Sequence, residues 1–443
     1  MRIQLSDHFN YTKMIKFTLP TIIMMLFTSC YSIVDGLFVA NIVGSDALAS
    51  INIVWPAISI VGAFGFMLGI GGNAEVAKTL GEGDNHRARQ YFSMIISVTV
   101  TLGIVLSVAC VFFIEPICFF LGANDNIIGY CVDYGTIIML GISINMLQIM
   151  FQTFFITAEK PHLGMFFTIA AGLTNIILDY LFIAVFGWGI AGAAIATVCG
   201  YIVGGIFPLI YFLLPNNSLL RFTKPVLDWR VLGHSAVNGS SEMVSNVAYA
   251  VVTFLYNYQM MRLIGEDGVA AMAVIFYVMM IFNAIVFGFS FGIAPVIGFH
   301  YGAQNHDEMK NLFRRCLVLI GTVAFVMTAL AEILAGPVTN IFCGDNTYLR
   351  DLTTVGFRIY AISFLFFGFN IFGSSFFTAL CNGKISATIS FLRTFVLEMG
   401  FLLALPFVIG VTGVWLAVPF TELITFGIVI LFWATQKKKY HYI

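Results

Sequence analysis

The stretch YSIVDGLFVANIVG, residues 31–44, sets an aspartate into otherwise apolar sequence. What Asp35 is for depends on what kind of interior surrounds it. The bulk composition answers that. Of 443 residues, 60% are hydrophobic and 10% are charged, with a mean hydropathy of +0.95, whereas ordinary soluble proteins carry about 25% charged residues. Runs of roughly 20 apolar residues recur along the chain, each long enough to cross about 30 Å of hydrocarbon as a helix. A transmembrane β-barrel is excluded because its strands alternate over about ten residues, and these runs are continuously apolar. A net charge of −1 gives a nucleic-acid partner no support. The eight cysteines are scattered; they read as apolar fillers, not as a metal site or disulfide frame. The N-terminus, MRIQLSDHFNYTK, runs into the first long helix without a small-residue cleavage motif, so it is expected to remain uncleaved.

Twelve spans are expected. The first six lie near 14–40, 46–76, 91–114, 129–157, 164–186 and 188–214, and the second six near 232–261, 268–298, 315–336, 351–380, 383–408 and 413–436. The cations test this count. Of 21 Lys and Arg, 17 fall at the two termini and the even-numbered connections. Arg262, Arg350 and Arg358 fall on the other side, and Arg393 inside a helix. The positive-inside rule then puts both termini in the cytoplasm.

The chain also repeats itself. GSDALASI (44–51) returns as GEDGVAAM (265–272), and FGFMLGIG (64–71) as FGFSFGIA (287–294). QTFFITAEK (152–160) returns as SSFFTALCN (374–382), and GIAGAAIA (189–196) as GVTGVWLA (410–417). Four matches in order, at offsets of 221 to 223, mark a duplicated six-helix unit. An even number of helices keeps both copies the same way up, a plan common in secondary transporters. The expected fold is therefore an all-α polytopic membrane protein of 12 transmembrane helices in two six-helix bundles related by a parallel repeat. Residues 1–214 form an N-terminal lobe, 215–231 a cytoplasmic linker and 232–443 a C-terminal lobe. No G-x-x-x-x-G-K-[ST] loop occurs, so nothing resembles an ATP-driven motor. The Gly65/Gly69 and Gly288/Gly292 spacings read as close helix packing.

Asp35 now lies inside a span, where a carboxylate costs roughly 2.5–3.5 kcal/mol on insertion scales and usually marks a pathway. Thr28, Ser32 and Asp35 share one side of helix 1, and Thr168, Gly172, Asn175 and Asp179 one side of helix 5. Thr197 lies in helix 6, and Asn145, Gln148 and Gln152 are expected together on helix 4. Such an oxygen-rich pocket suits a hard cation or a proton. Helix 7 carries Asn238, Glu242, Asn246, Tyr249, Thr253 and Asn257 on one face. The repeat does not match its acids, since Asp35 corresponds to Tyr256 and Glu242 to Thr21. Glu398 and Glu422 are further acids within spans, and Arg393, five residues from Glu398, is not expected on the face of that acid. The histidines form no ligand cluster, and His234 and His300 are read as interfacial.

Taken together, the twelve-helix doubled bundle, the acid within VDGLFVANIVG (34–44) and TNIILDY (174–180) resemble the multidrug and toxic compound extrusion family, prokaryotic type. The resemblance spans essentially the whole chain. It implies a cation or proton site made of Asp35, Asn175, Asp179 and Thr197, with Na⁺ as one possible occupant, and a helix-1 hinge at Pro20. Glu242, Asn246, Tyr249, Asn145, Gln148 and Gln152 are the substrate-cavity candidates, with Glu398 and Glu422 as further C-lobe acids. The implied function is alternating-access export of organic cations or drugs, coupled to H⁺ or Na⁺, with no cofactor, no structural metal and no catalytic residue. The expected setting is the cytoplasmic (inner) membrane of a prokaryote, among membrane lipids, as a monomer. A flippase for lipids or lipid-linked precursors and a passive channel are the competing readings.

Overall fold

The computed structural model describes residues 3–344 and 346–443, and no described residue lies in a strand. Twelve helical segments follow one another. The N-terminal six are α1 (Tyr11–Phe38), α2 (Ser45–Gly81), α3 (Asn85–Phe112), α4 (Ile128–Thr157), α5 (Pro161–Asp179) and α6 (Gly189–Tyr201). The C-terminal six are α7 (Trp229–Leu263), α8 (Glu266–Gly302), α9 (His306–Cys343), α10 (Thr347–Ala361 and Phe364–Ala379), α11 (Gly383–Phe391) and α12 (Val411–Tyr440). Several continue past these bounds through π turns: Val39–Val43 after α1, Tyr180–Val185 after α5, Ile202–Ile206 after α6 and Leu392–Glu398 after α11. Short helices Phe207–Leu213 and Met399–Ile409 then complete α6 and α11.

Ten of these segments are long and apolar enough to cross a membrane among the described residues, and eleven with α10, whose halves meet at 48°. The twelfth, α7, is less apolar because a polar face runs along it. That face is buried at its start, with Asn238 at 0% and Glu242 at 9% exposure, and open further on, with Tyr249 at 58%.

The duplication is written in the backbone as well as the sequence. Left-handed residues recur in pairs 221 or 222 positions apart: Gly44 with Gly265, Gly83 with Gln304, Gly122 with Gly344, Glu159 with Cys381, and Gly189 with Gly410. Each pair ends a helix or turns the chain into the next one, where a positive φ is the local requirement. Two helix starts are capped at the same offset. Asp84 accepts from the Arg87 amide and Asn305 from the Glu308 amide, satisfying N–H groups that a helix terminus leaves unpaired.

Packing obeys the same symmetry. Within the N lobe, α1 packs on α5, α2 and α3 on α4, and α4 and α5 on α6. In the C lobe α7 packs on α11, α8 and α9 on α10, and α10 and α11 on α12. Between lobes α1 meets α8 and α2 meets α7, equivalent pairs about a pseudo-two-fold axis, with α2 against α8 at the axis.

The lobes meet most closely at the end that carries both termini and the linker. A Cβ at Gly81 would lie 1.9 Å from the Phe299 carbonyl oxygen, and one at Gly302 2.0 Å from that of Lys78. These two contacts are repeat-equivalents. A Cβ at Gly71 would lie 2.0 Å from the Ser235 oxygen, and one at Gly239 1.9 Å from the Met67 oxygen. Polar bonds cross the same end. His234 on α7 pairs with Glu75 on α2. The N-terminal segment ties Leu5 to Glu159 of the N lobe at 2.8 Å, and Phe9 and His8 to Glu308 of the C lobe at 2.9 and 2.6 Å. His300, expected at an interface with water, is instead 2% exposed. It lies beneath this segment, beside Leu5, Asp7 and His8. The reading failed because it took the helix end for a wet one.

Overpacking a tight backbone contact costs about 1–3 kcal/mol. Gly239→Ala is therefore expected to part α2 from α7 and populate a state with this end open. Spin labels at two exposed positions of that end, Arg87 in the N lobe and Lys310 in the C lobe, read it as a longer distance component, and an unchanged distance distribution contradicts the clamp.

Candidate functional site: two polar centres, one in each lobe

In the N lobe, α1 and α5 pack side by side because α5 presents no side chain where α1 comes nearest. A Cβ at Gly172 would meet the Phe27 ring at 2.5 Å and the Tyr31 ring at 3.1 Å. Gly200 likewise lets α6 approach α5, 3.1 Å from the Ala171 oxygen and 3.4 Å from Asn175 Cβ. These approaches gather Asp35, Asn175, Asp179 and Thr197. Asn175 Nδ2 donates to Thr197 Oγ1 at 3.4 Å, and Thr197 in turn donates to the Ala193 carbonyl at 3.0 Å. The Asp35 and Asp179 carboxyl groups act directly on each other.

Asp179 is 0% exposed and Asn175 3%. Both Asp179 oxygens, Asp35 Oδ1 and Asn175 Oδ1 are buried and none accepts a well-formed hydrogen bond among the described residues, although Asp35 and the Asn175 amide lie close enough to act on the Asp179 carboxyl group. Among the described residues no cationic side chain acts on either acid. Two facing carboxyl groups with unused lone pairs and no resident counter-ion can accept a proton or a hard cation.

The four sequence-expected residues are thus brought together. Three tyrosines join them: the phenols of Tyr31, Tyr134 and Tyr201 lie within the electrostatic reach of Asp35. Helical periodicity gave no sign of them, because Tyr134 and Tyr201 look like ordinary span aromatics. Nor could periodicity foresee that π turns begin directly after Asp179, shortly after Asp35 and beyond Thr197. Such turns recur at functional sites because they re-aim side chains.

Other candidates are distributed differently. Gln152 Nε2 lies 3.4 Å from Thr168 Oγ1 on α5. Gln148 is buried against α6, where a Cβ at Gly204 would lie 2.7 Å from its side chain. Asn145 faces α2 instead, its Oδ1 3.7 Å from a Cβ at Gly62, so the three α4 amides do not share one pocket. Thr28 donates to the Met24 carbonyl at 2.9 Å. The side chain of Ser32 lies outside the described residues. Pro20 is buried within α1, which runs through it without a break.

The C-lobe centre has different chemistry. Glu242 faces a cavity shared with Ser245, Asn370, Ser374, Ser390 and Arg393. Arg393 donates through Nε and Nη2 to Glu422 Oε1, at 2.8 and 2.6 Å. Asn370 Nδ2 holds the other oxygen, Glu422 Oε2, at 2.7 Å. The guanidinium also sits 5.2 Å from the centre of the Phe367 ring. Glu398 acts on Arg393 as a charge without an ion pair to it among the described residues, nearer than the expected separation of faces suggests. The reason is the π turn Leu392–Glu398, whose i→i+5 bonding brings such residues to one side. Asn246 on α7 donates to the Glu242 carbonyl at 2.8 Å, and Tyr249, one turn on, is exposed.

With both centres described, the chain can be set beside known proteins. A MatE family model matches residues 20–181 and again 243–403, once in each lobe. The multidrug export protein MepA of Staphylococcus haemolyticus is 24% identical over 364 residues, covering 81% of this chain and 80% of that protein. MepA of Staphylococcus aureus is 22% identical over 367 residues, with coverages of 81% and 80%. Among solved structures, a MATE in complex with MaL6 superposes with a TM-score of 0.91 at 18% identity, covering 96% of each chain. An outward-facing multidrug resistance MATE family transporter does so at 0.90 and 19%, covering 96% of this chain and 95% of that one. The structures share the fold and the family model spans both repeats: this chain belongs to the MatE family, the multidrug and toxic compound extrusion transporters that its sequence resembles.

Proposed function

We propose that this protein exports organic cations, drugs among them, in exchange for an inward-moving H⁺ or Na⁺, and that Asp35 and Asp179 hold the exchanged ion. The observation that carries the reading is the buried acid pair, three of whose oxygens accept no well-formed hydrogen bond and on which no cationic side chain acts among the described residues. Asn175 and Thr197 supply the further oxygens of the site. The similarity to the multidrug export protein MepA supports the substrate class.

Alternating access fits a molecule built as two lobes clamped at one end. The 17 cations at the termini and even connections support a cytoplasmic position for that end, which makes this the outward-facing conformer of a multi-pass protein of the bacterial cell membrane. Both termini are then cytoplasmic, and the protein works as a monomer among lipids. Ion binding shifts the lobes only by as much as the ion prefers one conformer. Glu242, Asn246 and Tyr249 on the α7 face attract and stack a cationic, partly aromatic substrate.

A flippase for lipid-linked precursors needs free positive charge for a phosphate headgroup. The N-lobe centre is acidic, and Arg393 already spends two donors on Glu422. A passive channel cannot accumulate dye against a gradient, so counterflow of a cationic dye separates it from an antiporter.

Asp35→Asn is expected to abolish efflux of a cationic dye such as ethidium from cells at unchanged expression; full efflux would remove the acid from the coupling step. Collapsing the proton and sodium gradients separately identifies the ion. For Asp179→Asn, less like-charge repulsion should raise the melting temperature in sodium-free alkaline buffer and shrink any further rise on adding sodium. Melting identical to the parent in both buffers would contradict a shared ion site. Glu242→Gln should narrow the range of exported dyes while some efflux persists, and an unchanged range would leave Glu242 a structural residue.

A further inference from the structure

The two polar centres occupy equivalent ground. The N-lobe centre is built on α1, α5 and α6 beside α4, and the C-lobe centre on α7, α11 and α12 beside α10. At the 221-residue offset Asp35 corresponds to Tyr256 and Tyr201 to Glu422. Acid and phenol have exchanged helices between the lobes while staying within electrostatic reach: Asp35 acts on Tyr201, and Glu422 on Tyr256. Gln148 and Asn370 correspond at an offset of 222, and each is buried with its side-chain oxygen lacking a hydrogen-bond partner.

The difference is the third group. In the N lobe it is a second acid, Asp179, and no cation acts on the pair. In the C lobe it is Arg393, carried by α11, the counterpart of α5. Its guanidinium binds Glu422 through two donors, while Asn370 holds the remaining carboxylate oxygen. Glu422 is 1% exposed, so this carboxylate would otherwise be a buried charge without a counter-ion, a strongly destabilising condition.

We propose that the C-lobe centre is a cation pocket whose cation is built in: the Arg393 guanidinium, about two turns along α11 from the position equivalent to Asp179, plays as a tethered ion the neutralising part that an exchangeable cation plays at Asp35 and Asp179 in the N lobe. A tethered cation cannot leave with the transport cycle, so the Glu422 pocket is withheld from ion exchange, and the exchanged ion binds in the N lobe alone. Arg393 is thereby a specificity-determining residue. It decides which lobe exchanges ions and leaves Glu242, across the cavity, as the C-lobe acid nearest to a substrate cation.

Chemical rescue tests this. Because the inference rests on Asp35 and Asp179 holding the exchanged ion, the full-length protein is purified in an Asp35→Asn background, where cation binding belongs to the C lobe. If Asp35→Asn itself still drives ion-coupled efflux, the N-lobe reading fails, whatever the outcome of the rescue. Arg393→Ala removes the tethered ion and opens a slot of guanidinium shape. Its melting temperature should fall, and millimolar methylguanidinium should restore most of the loss with saturation near one ligand per chain, while neutral methylurea does nothing. The Asp35→Asn parent with Arg393 intact should show no such rise. Equal responses to methylguanidinium and methylurea, or an equal rise in the protein that keeps Arg393, would overturn the proposal. The double substitution Arg393→Ala with Glu422→Gln removes both charges and is expected to accumulate without responding to methylguanidinium. Rescue that persists in the double variant, or a double variant that accumulates no better than a misfolded single one, would overturn it too, since the pair would then matter for packing and not for charge.

Discussion

Hydrocarbon supplies no hydrogen bonds, and every polar atom this chain carries into the membrane has to find a partner within the protein. Helices discharge that demand for the backbone. Isolated hydroxyls discharge it by bonding back one turn: Thr18 to Met14, Thr101 to Ser97, Thr174 to Ala170, Thr322 to Val318 and Thr328 to Ala324. Other buried hydroxyls, Thr21, Thr99, Ser241, Ser290, Thr421 and Thr425 among them, have no partner among the described residues; what sets Asp35 and Asp179 apart is the higher cost of a carboxyl group within a span. They lie on different helices, face each other and keep buried oxygens unpartnered among the described residues. On the proposed function, an ionic occupant that comes and goes would account for two such costly groups facing each other without a resident cation among the described residues.

The duplication shows which features are fixed by geometry and which are free to diverge. Five left-handed turns recur at nearly constant offset, and so do the glycine contacts of Gly81 and Gly302 that hold the lobes together. These are demands of chain direction and close approach, which the two copies share. The charged groups do not recur. Acid, phenol, amide and guanidinium are redistributed over equivalent helices, because a pocket needs only a suitable sum of charge and donors. Symmetry of scaffold with asymmetry of chemistry is how one fold can assign ion exchange to one lobe and keep another task for its twin.

Most of the scaffold was legible in the sequence because it rests on two strong periodic signals, apolar length and internal repetition. Twelve segments, their order and their symmetry follow from these. The core of the N-lobe centre was legible for a related reason: Asn175 and Asp179 are one turn apart, and an acid within a span is conspicuous. The remainder was hidden by departures from regular helix. The π turn Leu392–Glu398 overturns the face assignment of Arg393 and Glu398, and the bend between the halves of α10 is silent in hydropathy. Contacts between distant segments were equally hidden. Nothing in the sequence near Glu308 or Glu159 shows that the N-terminal segment bridges them, and no spacing links Arg393 to Glu422. The polar face of α7, by contrast, was plain in the sequence, yet it is what keeps that helix from looking like a span.

How an ion in one lobe can govern a clamp between two is a question about α1. Towards one end it carries Asp35 against α5. Towards the other it lies against α8, where a Cβ at Gly288 would meet Ile22 Cα at 2.5 Å and one at Gly292 would meet Thr18 at 3.1 Å. Pro20 sits between those two contacts and supplies no backbone N–H to the helix ladder. On the proposed function, an ion that draws Asp35 towards Asp179 would act on the far arm of a helix whose near arm is wedged between the lobes. Because backbones packed too closely to admit a Cβ at Gly288 tolerate little gradual displacement, a small shift of that near arm would, in the proposed cycle, either leave the clamp shut or open it. This converts a local change of charge into two discrete arrangements of the whole molecule.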